Sequence, residues 1–280
     1  MPRISPADRT ICINRYVAGE SSLELGKAFG LSGNAVRGLV KRAGHTVRSL
    51  VDAARTHSLD HRYFAEIDRE DSAYWLGFLL ADGGVYKNSI TLALGQVDSE
   101  HILRFRDAIG SNHKPFYRPR IAGKHNGIVG LTMRSKEMAD DLARYGIVPC
   151  KSMIASAPRL PTGIQRHFWR GVLDGDGSIT TTTGRWRVRL YGSEAVCRTF
   201  SEWVLDTCGV PVRVAPHRSI WEARVEGLER SRLVLLALYD GATIFLPRKS
   251  ERVAKVTTAA VNISRLGSRH AAERRAALVS

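Results

Sequence analysis

The stretch RHFWRGVLDGDGSI, residues 166–179, runs from aromatic and branched apolar residues into two aspartates separated by one glycine. Its apolar positions read as a buried helix, and Gly177 as the point where the chain leaves it. Asp174 and Asp176 therefore put carboxylates at the end of an element that is otherwise core. SAYWLGFLLADGGVY, residues 72–86, does something similar earlier, ending on Asp82 and Gly83.

With the two stretches aligned, Asp82 falls on Asp176, 94 positions later. The same offset carries Gly77 to Gly171, Ser99-Glu100 to Ser193-Glu194, and Tyr145 to Tyr239. Each copy follows its apolar helix with an alternating stretch, SITLALG or RWRVRLYG. A helix opening on Ser-Glu comes next, then further strand-like segments around 113–133 and 211–226, then a closing helix. Two such units predict an α+β fold of two pseudo-symmetric αββαββα half-domains about an internal dyad, over residues 71–156 and 157–255.

Both motif helices carry small residues at helical spacing, Gly77 and Ala81 in one, Gly171 and Gly175 in the other. Small residues let helix backbones approach closely, so a dyad crossing there would deliver Asp82 and Asp176 side by side. Two adjacent carboxylates repel unless a cation shares them. Oxygen ligands of this kind suit Mg²⁺, and the chemistry such a centre serves is phosphodiester hydrolysis.

Charge points the same way. Forty-two Lys and Arg against 27 Asp and Glu leave +15 on 280 residues, which favours a polyanionic partner. Cys12, Cys150, Cys197 and Cys208 form no CxxC pair, which argues against structural zinc. No apolar run follows the first charged residues, and WLGFLLA and LVLLALY are too short to span a bilayer, so a cytoplasmic chain with no membrane partner is expected.

Ahead of the repeat, residues 1–60 read as a small all-α module. GESSLELGKAFGLSGNAVRGLVKRAG offers Ser21 or Ser22 as a cap, with Leu23, Leu25, Ala28 and Phe29 beneath. Gly30 makes a break, Ser32 a second cap, and Ala35, Val36, Leu39 and Val40 carry the next helix. The pair resembles a helix-turn-helix, whose second helix would present Asn34, Arg37, Lys41 and Arg42 to DNA. Residues 61–70 read as a polar linker and 256–280 as a basic tail.

WLGFLLADG at 75–83 and WRGVLDGDG at 169–177 resemble the paired motifs of the LAGLIDADG homing endonucleases. GIVPCKS at 146–152 and ATIFLPRKSERV at 242–253 also resemble segments of this group, and the likeness spans about residues 70–250. It implies a monomer whose motif helices form the half-domain interface. Asp82 and Asp176 would bind Mg²⁺, or Mn²⁺ in its place, with the carbonyls of Ala81 and Gly175 completing the shells. It further implies active-site lysines, for which Lys151 and Lys249 are the candidates. Leu80 stands where the second motif has Asp174, leaving the two half-sites chemically unequal.

The resemblance also implies a saddle of antiparallel strands over double-stranded DNA. Candidates from the first half are Lys87, Asn88, Lys114, Arg118, Arg120 and Lys124; from the second, Arg185, Arg187, Arg189, Arg213 and Arg218. Arg185, Arg187 and Arg189 alternate with Trp186, Val188 and Leu190, as a strand with one basic face should. The expected function is site-specific double-strand cleavage. No splicing residues stand at MPRIS or AALVS, so a free-standing enzyme is expected rather than an intein. Two other readings stay open: a regulator that keeps the fold without cleaving, and an RNA maturase acting in intron splicing.

Overall fold

The structure is a computed structural model that describes residues 4–47, 57–120, 127–149, 154–182 and 184–259. The chain divides into two compact units, 1–58 and 59–280.

The first unit is built from α1 (Pro6–Val17), α2 (Ser22–Phe29) and α3 (Gly33–Arg42). Ser21 and Glu24 form a reciprocal capping box on α2, and Ser32 caps α3 through the Ala35 amide. Between them Gly30 takes the left-handed conformation, φ 63°, that ends α2 without a Cβ penalty. Cys12, Ile13, Tyr16, Leu25, Val36, Leu39 and Val40 fill the centre. Leu23, expected beneath the helix, points outward at 64% exposure, and Ala28 is exposed too. The buried face of α2 is narrower than its apolar content suggests.

In the second unit the first half-domain runs α4 (Glu70–Asp82), β1 (Gly83–Tyr86), β2 (Ser89–Gly95), α5 (Ser99–Ala108), β3 (Phe116–Arg118), β4 (Ile128–Arg134) and α6 (Lys136–Arg144). The second repeats the order with α7 (Thr162–Asp176), β5 (Gly177–Thr182), β6 (Arg185–Gly192), α8 (Glu194–Cys208), β7 (Arg213–His217), β8 (Ile220–Glu226) and α9 (Leu228–Tyr239). A further helix, α10 (Pro247–Thr258), follows only the second copy among the described residues. Each half thus has one four-stranded antiparallel sheet, ordered β1-β2-β4-β3 or β5-β6-β8-β7. The two pseudo-symmetric αββαββα halves make a saddle architecture.

Alternation sets what each sheet buries. Ile90, Leu92 and Leu94 pair with Met133, Leu131 and Val129 on the core face, as Val188 and Leu190 pair with Val225 and Ala223. The copies are not identical in detail. Ser193 caps α8 by accepting from the Val196 amide, whereas α5 is entered through the short 3₁₀ turn Gln96–Asp98 and Ser99 caps nothing.

The segment 61–70 is not a linker. Tyr63, Phe64 and Ile67 are buried in the main core, and the Asp60 amide donates to the Ile109 carbonyl. Arg62 pairs with the buried Asp141 at 3.0 Å, and Arg144 and Tyr145 both donate to the Ala65 carbonyl. Its charged residues sit on the outside of a strap whose apolar minority decides where it lies.

Candidate active site and nucleic-acid interface

The small residues of α4 and α7 do what their spacing predicts. A Cβ added to Gly77 would overlap the Phe168 carbonyl, and one on Gly171 would overlap the Tyr74 carbonyl. These two contacts exchange under the 94-residue offset, so a pseudo-dyad passes between the helices at this crossing. One turn or so further on, Gly175 faces Ala81 across the same axis, and an Asp82 carboxylate oxygen would be 3.3 Å from a Cβ on Gly175. The helices end together. Asp82 and Asp176 are exposed at those ends, and Gly83 and Gly177 open β1 and β5 immediately behind them.

Beneath the exposed pair lies a buried polar network. Asp174 is fully enclosed and accepts from the Tyr74 hydroxyl at 2.8 Å, the Tyr239 hydroxyl at 2.5 Å and the Leu246 amide at 2.7 Å. Burial pushes its pKa up, while Tyr239, the Leu246 amide, Lys249 and Tyr74 pull it back. Because Tyr74 gives its proton to Asp174, its oxygen accepts from His101 Nε2 at 2.9 Å. Burial holds His101 neutral by lowering its pKa to about 3. Alongside, the fully buried Arg170 donates to the carbonyls of Ile244 and Leu238 and reaches Glu70 at 2.5 Å. That ion pair ties the start of α4 to α7.

Lys249 is placed differently from an open catalytic lysine. It is 4% exposed, and its Nζ donates to the carbonyls of Leu173 and Asp174 at 2.6 Å and Gly177 at 2.7 Å, with Gly175 at 3.4 Å. The Leu173 carbonyl also accepts from the Gly177 amide, Asp174 and Gly175 lie in the last turn, where a helix leaves carbonyls without intrahelical partners, and Gly177 opens β5. The ammonium caps α7 from inside, where the helix dipole favours a cation. Burial lowers its pKa to about 8, and Asp174, Asp82 and Asp176 each act to raise it. Both motif carboxylates therefore converge on its field. Lys151 lies outside the described residues, as does Lys124.

No group of three or more His, Cys, Asp and Glu side chains gathers at one point among the described residues. A cation at the helix ends would rest on two carboxylates and on carbonyl oxygens such as those of Ala81 and Gly175. That all-oxygen set fits Mg²⁺, which typically takes one or two carboxylates and leaves the rest of its shell to water and phosphate.

The sheet faces away from the core differ between halves. On the second, Arg185, Arg187 and Arg189 of β6 share a face with Arg213 of β7 and with Glu222, Arg224 and Glu226 of β8. Arg189 pairs with Glu222 at 3.1 Å and Arg187 with Glu226 at 3.2 Å. On the first, the corresponding face carries Tyr86, Ser89, Thr91, Ala93, Phe116, Arg118, Gly130, Thr132 and Arg134, with no acid. Thr91 and Thr132 hydrogen-bond at 2.9 Å, and Gly130 leaves room for the Phe116 ring. The remaining expected contacts lie at the rims. Lys87 and Asn88 form the β1–β2 turn, Lys114 and Arg120 flank β3, and Arg218 forms the β7–β8 turn, all exposed.

In the helical unit Asn34, Lys41 and Arg42 are exposed on α3, and Arg37 donates back to Asn34. Sequence reading missed Arg134, Glu222, Arg224 and Glu226. The alternation in IWEARVE at 220–226 carries the last three, but its mixed signs look like an ordinary solvated strand.

No protein-family model matches the sequence, and no curated protein matches it. Solved structures of similar architecture include the N-terminal LAGLIDADG domain of DUF199/WhiA, 13% identical, covering 69% of this chain and 93% of that one at a TM-score of 0.47. Full-length DUF199/WhiA from Thermatoga maritima is 14% identical, with 78% and 72% covered and a TM-score of 0.45. The homing endonuclease I-WcaI bound to its DNA recognition sequence is 11% identical, with 68% and 90% covered and a TM-score of 0.49. Likeness at this level assigns nothing to individual residues. No described helix is long and apolar enough to cross a membrane.

Proposed function

We propose that this chain is a site-specific double-strand DNA endonuclease acting as a monomer, with Asp82 and Asp176 as its metal-binding pair. The observation that carries the reading is the reciprocal crossing at Gly77 and Gly171, which brings two carboxylate-bearing helix ends together in one chain. A bound Mg²⁺ would polarise a phosphoryl oxygen and lower the pKa of a coordinated water. The chain's own part is positional. Gly175 and Ala81 allow the ends to meet, Asp174 and Arg170 fix α7 against α4, and Lys249 holds the last turn of α7. Two sheet faces turned from the core and a net charge of +15 favour a phosphate-rich duplex. The exposed basic residues of α3 add a second DNA-contacting element.

One observation favours a second reading, a DNA-binding regulator that does not cut. The Lys249 ammonium stands 3.4 Å from the Gly175 carbonyl, an oxygen the metal shell would draw on. Gel shift and cleavage on one duplex, with Mg²⁺ or Mn²⁺, separate the two readings. Asp82→Asn and Asp176→Asn should each abolish cutting and retain binding. Full cutting by either variant removes that aspartate from the site, and binding without cutting by the unaltered chain selects the regulator.

A further inference from the structure

The second sheet carries more than a basic face. Ser178, Arg189, Arg224 and Arg213 are cross-strand neighbours in one row over β5, β6, β8 and β7. Three guanidinium groups on adjacent strands, about 4.8 Å apart, repel one another, and like charges directly opposite destabilise a sheet. Glu222, only 9% exposed, sits against this row with Oε1 3.1 Å from Arg189 Nε and Oε2 3.9 Å from Arg224 Nε. Glu226 approaches Arg224 Nε at 3.6 Å and Arg187 Nε at 3.2 Å. In every pair the nearest nitrogen is the inner one, alongside the stem. Arg187 Nε donates a hydrogen bond to Glu226, whereas the buried Nε groups of Arg189 and Arg224 face their carboxylates as ion pairs without a hydrogen bond.

Two glutamates among these four arginines are wasteful for a phosphate clamp, because each carboxylate repels the backbone it would have to approach. They suit base readout, where an arginine held in one orientation forks onto guanine O6 and N7 and a carboxylate can accept from cytosine N4. Among the described residues the first sheet has no counterpart, its strands placing Arg118 and Arg134 on that face and no acid.

We propose that Glu222 is a positioning residue that holds Arg189 and Arg224 as a paired reader of G·C base pairs, confined to the half of the DNA site under the second sheet. This rests on the DNA-binding reading above. The test is in vitro enrichment of duplexes with a randomised window by the full chain, with Ca²⁺ replacing Mg²⁺. The unaltered chain should enrich one or two adjacent G·C pairs on one side of the site. Glu222→Gln should lose that preference alone, roughly 5- to 150-fold for a bidentate contact. Arg189→Lys, which keeps charge but not the fork, should relax selection at one of the same pairs and decides the matter if Glu222→Gln does not fold. A defined enriched sequence without one-sided G·C pairs overturns the proposal and leaves DNA binding standing. So does a Glu222→Gln protein that binds every duplex more tightly with unchanged preferences. Enrichment of nothing by the unaltered chain overturns the DNA reading itself.

Discussion

Gly171→Ala is the sharpest perturbation of the helix crossing. The new methyl would sit 2.8 Å from the Phe78 amide nitrogen and 3.0 Å from the Tyr74 carbonyl carbon. Comfortable contacts of this kind lie near 3.5–4.0 Å, so α4 and α7 must part by about 1 Å. Every atom it meets is backbone, so no rotamer change relieves the overlap. Overpacking typically costs about 1–3 kcal/mol, and a backbone clash belongs at the upper end, near 3 kcal/mol. Separation of the helix ends also moves Asp82 from Asp176, and a misplacement of about 1 Å can cost roughly 100-fold in rate. Gly163 lies in the same helix with nothing within 4 Å of an added Cβ. Gly163→Ala should therefore stabilise by a few tenths to about 1 kcal/mol through helix propensity alone. Urea unfolding of both variants, with cleavage of one duplex, gives the comparison. Because one helix displacement relieves both clashes, Gly77→Ala with Gly171→Ala should cost less than the two added. A Gly171→Ala protein as stable as Gly163→Ala would refute the close crossing.

Two further outcomes test parts of the structure that the motif alone does not reveal. Lys249→Met keeps the stem but strips the donor from the buried Leu173 and Asp174 carbonyls and the part-buried Gly177 carbonyl, and leaves Asp174 without its cation; a loss of about 3–5 kcal/mol is expected by chemical denaturation. A variant within about 1 kcal/mol of the parent would show that the ammonium is not the cap. A fragment starting at Ser58 should fold, whereas one starting at Arg69 loses Tyr63, Phe64 and Ile67 from the core. At about 1.5–3 kcal/mol each, that loss rivals the stability of an ordinary domain, so the shorter fragment should give no cooperative thermal transition.

What was legible in the sequence is what depends on repetition and spacing. The 94-residue offset matches Gly77 to Gly171 and Tyr74 to Phe168, and the reciprocal contacts Gly77–Phe168 and Gly171–Tyr74 follow it, because a duplicated backbone must place equivalent residues equivalently. Ser21, Gly30 and Ser32 announced the helical turn, since caps and left-handed glycines are local chemistry. The strap was hidden because Tyr63, Phe64 and Ile67 show no period of a helix or strand, and only a surface to cover makes them core. Lys249 was visible as a lysine near the site, but spacing does not say that its ammonium turns inward to carbonyls 72–76 residues away. Glu222 and Arg224 were invisible for a third reason. Their role comes from cross-strand neighbours, and the register that makes them neighbours is tertiary.

The repeat duplicates a backbone, not a chemistry. Leu80 packs where Asp174 binds two tyrosine hydroxyls, an amide and the field of Lys249. Tyr239, Leu246 and Lys249 all follow β8, and among the described residues α10, which carries Lys249, follows only the second copy. The same divergence runs through the sheets, one lined by hydroxyls, the Tyr86 and Phe116 rings and two arginines, the other by arginines paired with glutamates. In symmetric dimers a two-fold protein meets a palindromic site, because each half offers the same side chains to its half-site. Here the dyad aligns strands but not side chains. A duplex read by both sheets would therefore carry different sequences in its two halves.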